Sequence, residues 1–182
     1  MATTDRTAES TSAQADLHPA SDESELKRAY SCFPTGVVAV CRRTVDGDDL
    51  GMSASSFATV SLDPPLVSVC VRNGSSTWPA LEDADRLGVS VFAHRQADIC
   101  RQLAGPTESR FDDVARVASA SGAVFLAQAA AHLECSVVQQ IPAGDHRVVL
   151  LRIHALGSDP TVEPLVFHAS TFRALEARRE LE

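Results

Sequence analysis

The sequence predicts a mainly β protein, built as an antiparallel barrel with a few peripheral helices. About six or seven short runs rich in β-branched residues follow one another, and only two or three helical segments interrupt them. Most of the breaks between runs are short turns, which favour antiparallel pairing over βαβ units. The chain also has no G-x-G-x-x-G fingerprint and no Walker A motif, so no dinucleotide or phosphate loop of those kinds is available.

Length and composition indicate one ordinary globular domain. The chain has 182 residues, of which 45% are hydrophobic and 22% charged. Residues 1–20 are rich in Ala, Thr, Ser and charge and are expected to form a disordered tail, and residues 21–182 a single domain. Because no apolar run reaches the length of a membrane span and no signal peptide is present, a cytoplasmic protein without a membrane partner is expected.

Charge and cysteine usage exclude several classes of function. The net charge is −8, and six acidic residues fall before Lys27 against Arg6 alone. With no cluster of basic residues elsewhere, nucleic acid is not expected as a partner. The five cysteines are widely spaced and form no Cys/His ligand pattern, so neither disulfides nor a metal site is expected.

The expected elements follow from caps, turns and apolar runs. A helix begins at Glu23 with Ser21 or Asp22 as its cap, and Asp46-Gly47 marks a hairpin. A short helix is capped by Ser75 or Ser76, and another spans Gln96–Ala104. Strands are expected at Gly36–Arg43, from about Leu50 through Thr59, and at Pro65–Arg72, Leu87–Ala93, Ala129–Ile141, Arg147–Leu156, Pro164–His168 and Thr171–Leu175. The strand at Pro65–Arg72 is expected to be fully buried. Residues Pro142–Gly144 are expected to break the chain between the strands Ala129–Ile141 and Arg147–Leu156.

The stretch from Gly51 to Val69 interleaves hydroxyl side chains with apolar ones. On a single strand, Met52, Ala54 and Ser56 share one face, and Ser53 and Ser55 share the other. Both faces are then mixed, which suits a strand that lines a cleft for a flat heteroaromatic ring. A barrel strand with serines on its surface is the alternative that these residues leave open.

A second candidate site follows the expected strand that ends at Arg72. Arg72, Ser75, Ser76 and Thr77 combine a cation, hydroxyls and a helix start, which together can bind an anion. A plain capped helix start would use the same residues.

A third candidate is His146, at the break between two apolar strands. It can meet a ligand there, or it can simply be held at the surface by Asp145. His94, His132 and His154 show no ligand spacing, whereas His168 follows an apolar strand and can line a cleft.

Taken in order, these segments resemble the flavin reductase-like family, the small reductases that supply reduced flavin to two-component monooxygenases. The resemblance runs from about Leu26 to Leu175, and the ordered set of motifs is more specific than any one of them. It is carried by FPTGVVAV, GMSASSF, SLDPPLVSV, RNGSSTWPAL, GVSVFAHRQADICRQLA, SRFDDV, LECSVVQQIPAGDH and PLVFHASTFRAL.

The resemblance implies an FMN-binding split β-barrel of the antiparallel, Greek-key type that works as a homodimer. It implies hydride transfer from NADH or NADPH to FMN or FAD, and a flavin-dependent monooxygenase as partner. His146 is implied to position the nicotinamide. The implied flavin contacts are Met52, Ser53, Ala54, Ser55 and Ser56 at the ring, Arg72, Ser75, Ser76 and Thr77 at the phosphate, Ala93, His94, Gln96, Arg110 and Phe111 along the ribityl, phosphate or adenine side, and Phe167, His168 and Phe172 at the mouth.

Two departures from the family pattern bear on the site. Ser53 stands where threonine is common, which keeps the hydroxyl. Asn73-Gly74 replaces bulkier or hydroxylic residues before the serine pair, which leaves FMN and FAD both open. A flavoprotein with a tightly bound flavin and its own substrate, a non-enzymatic flavin carrier, and a structural domain on the same barrel are the competing hypotheses.

Overall fold

The computed structural model describes residues 17–175, so the part of the expected tail before residue 17 lies outside the described residues. The mainly β, antiparallel prediction is confirmed. The helices are α1 (Glu23–Ser31) and α2 (Ala97–Leu103). The strands are β1 (Thr35–Gly36), β2 (Val38–Arg43), β3 (Asp49–Ala54), β4 (Ala58–Leu62), β5 (Pro65–Arg72), β6 (Leu87–Val91), β7 (Arg116–Ala118), β8 (Val124–Leu126), β9 (Ala131–Ala143), β10 (His146–Ser158), β11 (Val166–His168) and β12 (Thr171–Arg173).

The main sheet has seven antiparallel strands in the order β3-β2-β6-β9-β10-β5-β4. The β9–β10 hairpin lies between β5 and β6, so the connection from β5 to β6 passes over two later strands in a Greek-key arrangement. Two small sheets, β1-β11-β12 and β7-β8, lie outside it. This topology places the ends of β3 and β5 and the β11–β12 hairpin around one region.

The hydroxyl-rich stretch is not one strand, which corrects the sequence prediction. β3 ends at Ala54, and β4 begins at Ala58 on the opposite edge of the main sheet. Between them, the Ser56 hydroxyl accepts a hydrogen bond from the Cys70 N–H at 2.8 Å and donates one to the Cys70 carbonyl at 3.0 Å. These bonds join the end of β3 to β5 and draw the two edges of the sheet together as a barrel requires.

Two apolar clusters lie on the two faces of the sheet. The inner cluster fills the barrel and includes Val40, Val69, Trp78 and Leu151. The outer cluster packs α2 and the β11–β12 hairpin against the outside of β2, and includes Phe92 and Leu103. Because α2 and the β11–β12 hairpin both pack against this outer cluster, the cleft that lies between them has closely packed walls.

Several element predictions need correction. β5 is half-buried and alternating, because Val67, Val69 and Val71 point inward while the residues between them stay partly exposed. β9 is not broken at Pro142 but continues to Ala143, and Gly144 makes the turn with a φ of 65°. Sequence patterns did not reveal β1, β7 or β8, which are two or three residues long.

The first helix begins as expected and is loosely packed. Asp22 is its N-cap, with its carboxylate accepting hydrogen bonds from the backbone of Ser24 and Glu25. No residue of α1 is buried, and Tyr30 is 71% exposed. Within residues 17–175, no helix is both long and apolar enough to cross a membrane.

Candidate functional site

A cleft of about 520 Å³, here called the serine cleft, opens between the end of β3, α2 and the β11–β12 hairpin. Ser53 and Ser55 form one wall, and Phe167 and Phe172 form another. Its size falls in the range of small-molecule sites, and hydroxyls facing aromatic rings suit a flat heteroaromatic ligand. The structure therefore brings Ser53, Ser55 and Phe172 together as the sequence predicted.

The floor of the serine cleft includes Cys100 of α2, which is 3% exposed. Burial raises the pKa of its thiol to about 11, while a hydrogen bond with Ser53 and the charge of Arg101 oppose this. The thiol is consequently neutral at physiological pH and serves as a small apolar contact beneath the cleft.

Arg101 is the one charged side chain among the described residues that line the serine cleft. Its guanidinium lies 4.9 Å from the centroid of the Phe172 ring and donates a hydrogen bond to Asp98 at 2.7 Å. Phe172 in turn packs on Phe167 with ring centroids 5.4 Å apart. A cation and two rings packed at a tilt of 60° thus line the cleft.

The tip of the β11–β12 hairpin is a two-residue turn with left-handed backbone. Ala169 and Ser170 have φ values of 49° and 58°, which a tight hairpin turn of this kind demands even of residues other than glycine. The Ala169 N–H donates to the Ser31 carbonyl at 3.0 Å, which ties the turn to the end of α1. Strained backbone beside a cleft is typical of ligand sites.

A second cleft of about 650 Å³, here called the α1 groove, continues from the first. Both share Ser55, Phe167 and Ser170 in their walls. The far wall of the groove comes from α1 and the residues after it, including Lys27, Tyr30 and Phe33, and Ser56 and His168 line it as well. The two clefts therefore form one continuous surface with room for two ligands that touch.

Three of the predicted ring contacts have structural roles instead. The Ser56 hydroxyl is occupied by the backbone of Cys70, as described above. Ala54 is 8% exposed and belongs to the inner cluster, and Met52 packs against that cluster. The side chains of Met52 and Ala54 therefore pack toward the barrel interior, and the placement of Met52 to Ser56 along a flavin ring stays a prediction.

The predicted phosphate loop is tied to β3 by Arg110. Its Nη1 donates to the Thr77 hydroxyl at 2.7 Å and to the Gly51 carbonyl at 2.8 Å, and its Nε donates to the Gly105 carbonyl at 2.9 Å. Thr77 is only 7% exposed. The structure brings Thr77 and Arg110 together, and their side chains form a hydrogen bond with each other.

The rest of that loop turns toward the surface. Ser75 accepts a hydrogen bond from the Trp78 N–H at 3.2 Å, and a three-residue 3-10 helix (Trp78–Ala80) follows with Thr77 as its N-cap. The expected longer helix start is therefore reduced to a single short turn. Ser76 and Arg72 are exposed.

Among the predicted contacts before α2, Gln96 is a structural residue. It is 5% exposed, accepts from the Ala93 N–H at 2.8 Å and donates to the Ala127 carbonyl at 2.8 Å. Ala93 is buried, and its neighbour His94 is exposed. The side chains of Ala93 and Gln96 are thus used within the fold, and an approach of this segment to a flavin stays a prediction.

Phe111 lies behind β3 and away from the serine cleft. Its ring packs on the outer cluster and carries the Arg116 guanidinium at 4.9 Å from its centroid. It lines a separate, more polar cleft together with Asp49 and Arg116. Its assignment as a flavin contact finds no support in this placement.

His146 opens β10 and pairs with Arg72 of β5 and with Ala143 of β9. Its Nδ1 lies 2.9 Å from an Asp145 carboxylate oxygen, and this hydrogen bond lowers the pKa of Asp145. His146 is therefore paired with Asp145 at the surface, which is one of the two placements that the sequence left open. His146 is not among the residues that line the two clefts, and its role toward the nicotinamide stays a prediction.

Sequence reasoning missed the residues that α2 and α1 contribute. Cys100, Arg101 and Ala104 lie on one side of α2, and their i, i+1, i+4 spacing was the available signal. Tyr30 and Phe33 were read only as one face of a helix. Within residues 17–175, no group of three His, Cys, Asp or Glu side chains is arranged to hold a metal ion, and the five cysteines are free.

A family model described as a flavin reductase like domain matches residues 30–176. The chain belongs to this family. The match covers every residue that lines the serine cleft and every strand from β1 to β12, which agrees with the resemblance read from the ordered motifs.

A solved structure supports the assignment at the level of the fold. The NADH:FAD oxidoreductase of Streptomyces globisporus, in complex with NAD and FAD fragments, superposes with a TM-score of 0.82 at 34% sequence identity, over 89% of this chain and 98% of that one. The split-barrel fold class is therefore confirmed.

Sequence relatives differ in how much of their length the chain covers. It is 30% identical over 156 residues to the reductase subunit of a flavin-dependent monooxygenase from Rhodococcus jostii, with 85% of this chain and 79% of that protein covered. It is 35% identical over 134 residues to a probable flavin reductase from Rhizobium meliloti, but there it spans only 43% of the relative's length.

Proposed function

We propose that this protein is an NADH- or NADPH-dependent flavin reductase that supplies reduced FMN or FAD to a partner monooxygenase. The observation that carries the proposal is the pair of continuous clefts, because a reductase must hold two flat rings against each other. The named activities of the family relatives support it, and NADH is the donor named for the Streptomyces globisporus protein.

The serine cleft fits a flavin ring on structural grounds. Ser53 and Ser55 offer hydroxyls to ring heteroatoms, and Phe167 and Phe172 offer apolar faces. Arg101 offers a positive charge for an anionic part of the flavin. Among the described residues no carboxylate lines either cleft, and burial keeps the Cys100 thiol of the serine cleft protonated, which agrees with chemistry that the flavin itself supplies.

The flavin would supply a hydride acceptor: the C4–H bond of the dihydronicotinamide breaks, and the hydride with its two electrons goes to flavin N5, leaving an oxidised nicotinamide. This chain's residues bind and orient the two rings and exclude water between them. Ser55, Phe167 and Ser170 stand where the clefts meet and would hold the reacting atoms about 3–3.5 Å apart.

We also propose a homodimer that works in the cytoplasm beside its monooxygenase. The five free cysteines suit a reducing compartment. The Rhodococcus jostii relative, named as a reductase subunit, supports a separate oxygenase partner. The outward face of β5, β9 and β10 carries half-exposed apolar side chains that suit an interface between copies.

The first experiment measures loss of 340 nm absorbance from NADH and from NADPH, with no flavin, FMN, FAD or riboflavin added. Turnover that saturates with added flavin is expected, and it would identify the preferred donor and flavin together. A yellow protein whose turnover ignores added flavin would instead indicate a bound flavin and a separate substrate. Flavin binding without turnover would indicate a carrier, and no flavin binding a structural domain.

A further inference from the structure

The serine cleft has a buried end and an open end, and α2 contributes a side chain to each. Cys100 and Ala104, which lie one helical turn apart, face the cleft from the same side of α2. Cys100 is 3% exposed, whereas the side chain of Arg101, the next residue in the chain, is 61% exposed. Arg101 therefore lies at the open end, where the part of a ligand that extends out of the cleft would pass it.

Two contacts hold the Arg101 guanidinium in this position. It lies 4.9 Å from the centroid of the Phe172 ring, and its Nη1 donates a hydrogen bond to Asp98 at 2.7 Å. The Asp98 side chain is 97% exposed, so water screens this ion pair and another anion can replace the carboxylate. Because a guanidinium presents several N–H groups in one plane, it can bind two phosphate oxygens side by side while its face stays on the ring.

The loop that the family resemblance implied at the phosphate, residues 72–77, does not border the serine cleft. Thr77 in this loop is buried and bonded to Arg110, which also donates hydrogen bonds to two backbone carbonyls. A phosphate bound to these two side chains would have to displace hydrogen bonds that the fold already uses. At Arg101 a phosphate would displace only the exposed carboxylate of Asp98.

The charge of the whole chain gives a cation at the open end of the cleft a larger effect. The net charge is −8, so the overall field of the protein opposes the approach of a phosphate. Among the described residues that line the serine cleft, Arg101 alone is charged. An uncharged flavin does not depend on this local positive charge, whereas a phosphorylated flavin does. The cleft can therefore distinguish flavins by their phosphate.

We propose that Arg101 binds the 5′-phosphate of the flavin and so makes the phosphorylated flavins, FMN and FAD, better ligands than riboflavin. This inference rests on the proposed function, since it places the flavin ring in the serine cleft between Ser53 and Phe172. With the ring at the buried end, the ribityl chain leads toward the open end and to Arg101. Arg101 is thus a specificity-determining residue that takes no part in hydride transfer.

Riboflavin and FMN test the inference directly, because they differ only in the phosphate. Quenching of flavin fluorescence measures the Kd of each without any turnover. Arg101→Gln is expected to raise the FMN Kd about fivefold at low salt and by less at high salt, and to leave the riboflavin Kd unchanged. Arg101→Lys should have a smaller effect, because an ammonium keeps the charge but not the paired N–H groups. Asp98→Asn, which removes the competing carboxylate, should lower the FMN Kd about twofold.

The matched control is Arg173→Gln, since Arg173 is exposed on β12 next to Phe172 and does not line the cleft. This variant makes the same change in net charge and is expected to leave both Kd values unchanged. Equal Kd values for riboflavin and FMN in the unmodified protein would overturn the inference. An equal loss of both flavins in Arg101→Gln would also overturn it, because the guanidinium would then serve the ring. A larger loss of FMN binding in Arg72→Gln or Lys27→Gln would assign the phosphate to another cation.

Flavin reduction by the unmodified protein with NADH separates this inference from the proposed function. If FMN and riboflavin are both reduced but bind equally well, only the inference fails. If Arg101 discriminates between the two flavins while neither is reduced, only the proposed function fails.

Discussion

Ser53 and Ser56 lie three residues apart in one motif, yet their hydroxyls meet different partners. Ser53 faces Cys100 in the serine cleft, whereas both hydrogen-bonding capacities of Ser56 are met by the backbone of Cys70. The first hydroxyl is therefore available to a ligand, and the second closes the barrel. Residue type and spacing alone do not distinguish these roles, because both serines suit either one.

This difference predicts a separation of stability from binding. Ser56→Ala should lower the free energy of unfolding by about 2 kcal/mol, because it leaves polar backbone groups of Cys70 without their partner. Ser53→Ala should raise the flavin Kd about fivefold with little loss of stability. Urea unfolding and flavin titration of both variants check this, each variant serving as the control for the other, and the reverse pattern would show the assignments to be wrong.

His146 predicts a change in donor binding more than in chemistry. If it positions the nicotinamide, His146→Ala raises the KM for the nicotinamide nucleotide more than it lowers kcat, because no proton transfer at this side chain is required. Steady-state kinetics with saturating flavin measure both constants. Asp145→Asn, which keeps the imidazole but removes its carboxylate partner, is the matched control and should have a smaller effect. A collapse of kcat at unchanged KM would contradict the assignment.

At the residue scale, the sequence predicted the site in part, and the reason is physical. The interleaved hydroxyls singled out Ser53 and Ser55, and the family resemblance added Phe172; all three line the serine cleft. His168, which follows an apolar run, lines the α1 groove. The structural role of Gln96 was not predicted, because a buried amide that caps a helix has the same side chain as one that binds a ligand. Burial of the amide distinguishes the structural role from the ligand-binding role, and burial depends on the fold of the whole chain.

At the scale of elements, caps and turns were the reliable signals. Asp22 caps α1 and Gly47 makes the β2–β3 turn with a φ of 93°, because the backbone conformations at these positions strongly restrict the residues that fit. The break between β3 and β4 was missed because hydroxyl and apolar side chains interleave across it as they would on one continuous strand. The strand ends there because the Ser56 hydroxyl bonds to the backbone of Cys70 in β5, a contact that the sequence of the segment itself does not reveal.

Asp49 links β3 to β2 and β7 through two ion pairs, and these pairs predict how the stability of the protein depends on pH. Its side chain is 3% exposed at the start of β3, and it accepts hydrogen bonds from Arg43 of β2 and Arg116 of β7. Hydrogen bonding to Arg43, aided by Arg116, holds the pKa of Asp49 below its ordinary value of 3.8. Two guanidinium groups would lose their common partner if this carboxylate were protonated or replaced.

The sign of the effect follows from that lowered pKa. The unfolded chain binds a proton at Asp49 more readily than the folded one, so the stabilisation is complete above about pH 4 and is lost as the pH falls through the lower, folded value. Asp49→Asn should therefore lower the unfolding free energy by about 2 kcal/mol at pH 7 and by less at pH 3. Urea unfolding at both pH values measures this, with Asp98→Asn on the exposed side of α2 as control. An equal loss at both pH values would contradict it.

At the scale of the whole molecule, the sequence predicted the class of fold but not the order of its strands. Alternation and turn signals identify strands and hairpins, since both depend on neighbours in the chain. The placement of the β9–β10 hairpin between β5 and β6 depends on pairing across long separations, which local patterns do not encode. The family resemblance implied a split barrel of the Greek-key type, which the solved structure of a relative supports, but the order of the strands comes from the structure alone.

The outward face of β5, β9 and β10 predicts how copies assemble. In the register of the sheet, Cys70 and Ile141 flank Val148, and Ser68 and Gln139 flank Leu150; Gln139 and Ile141 are exposed and the other four are partly exposed. Cys70, Ile141, Val148 and Leu150 form an apolar patch, bordered by Ser68 and Gln139, in the middle of the sheet rather than at its edge. Such a patch is costly to leave in water, and a second copy of the same face would cover it by twofold symmetry.

Leu150→Glu should then convert a dimer into a monomer, because a carboxylate at the centre of the patch would be buried without a partner. Sedimentation velocity is expected to give twice the 19.4 kDa of one chain for the unmodified protein and for Val45→Glu, whose side chain is 98% exposed in the β2–β3 turn, but one chain for Leu150→Glu. Circular dichroism confirms that the monomer is folded. An unmodified protein that sediments as a monomer would refute the dimer, and a dimeric Leu150→Glu would move the interface to another face. Because Cys70 of the patch accepts the Ser56 hydroxyl at its backbone, dimerisation would also brace the closure of the barrel beside the α1 groove.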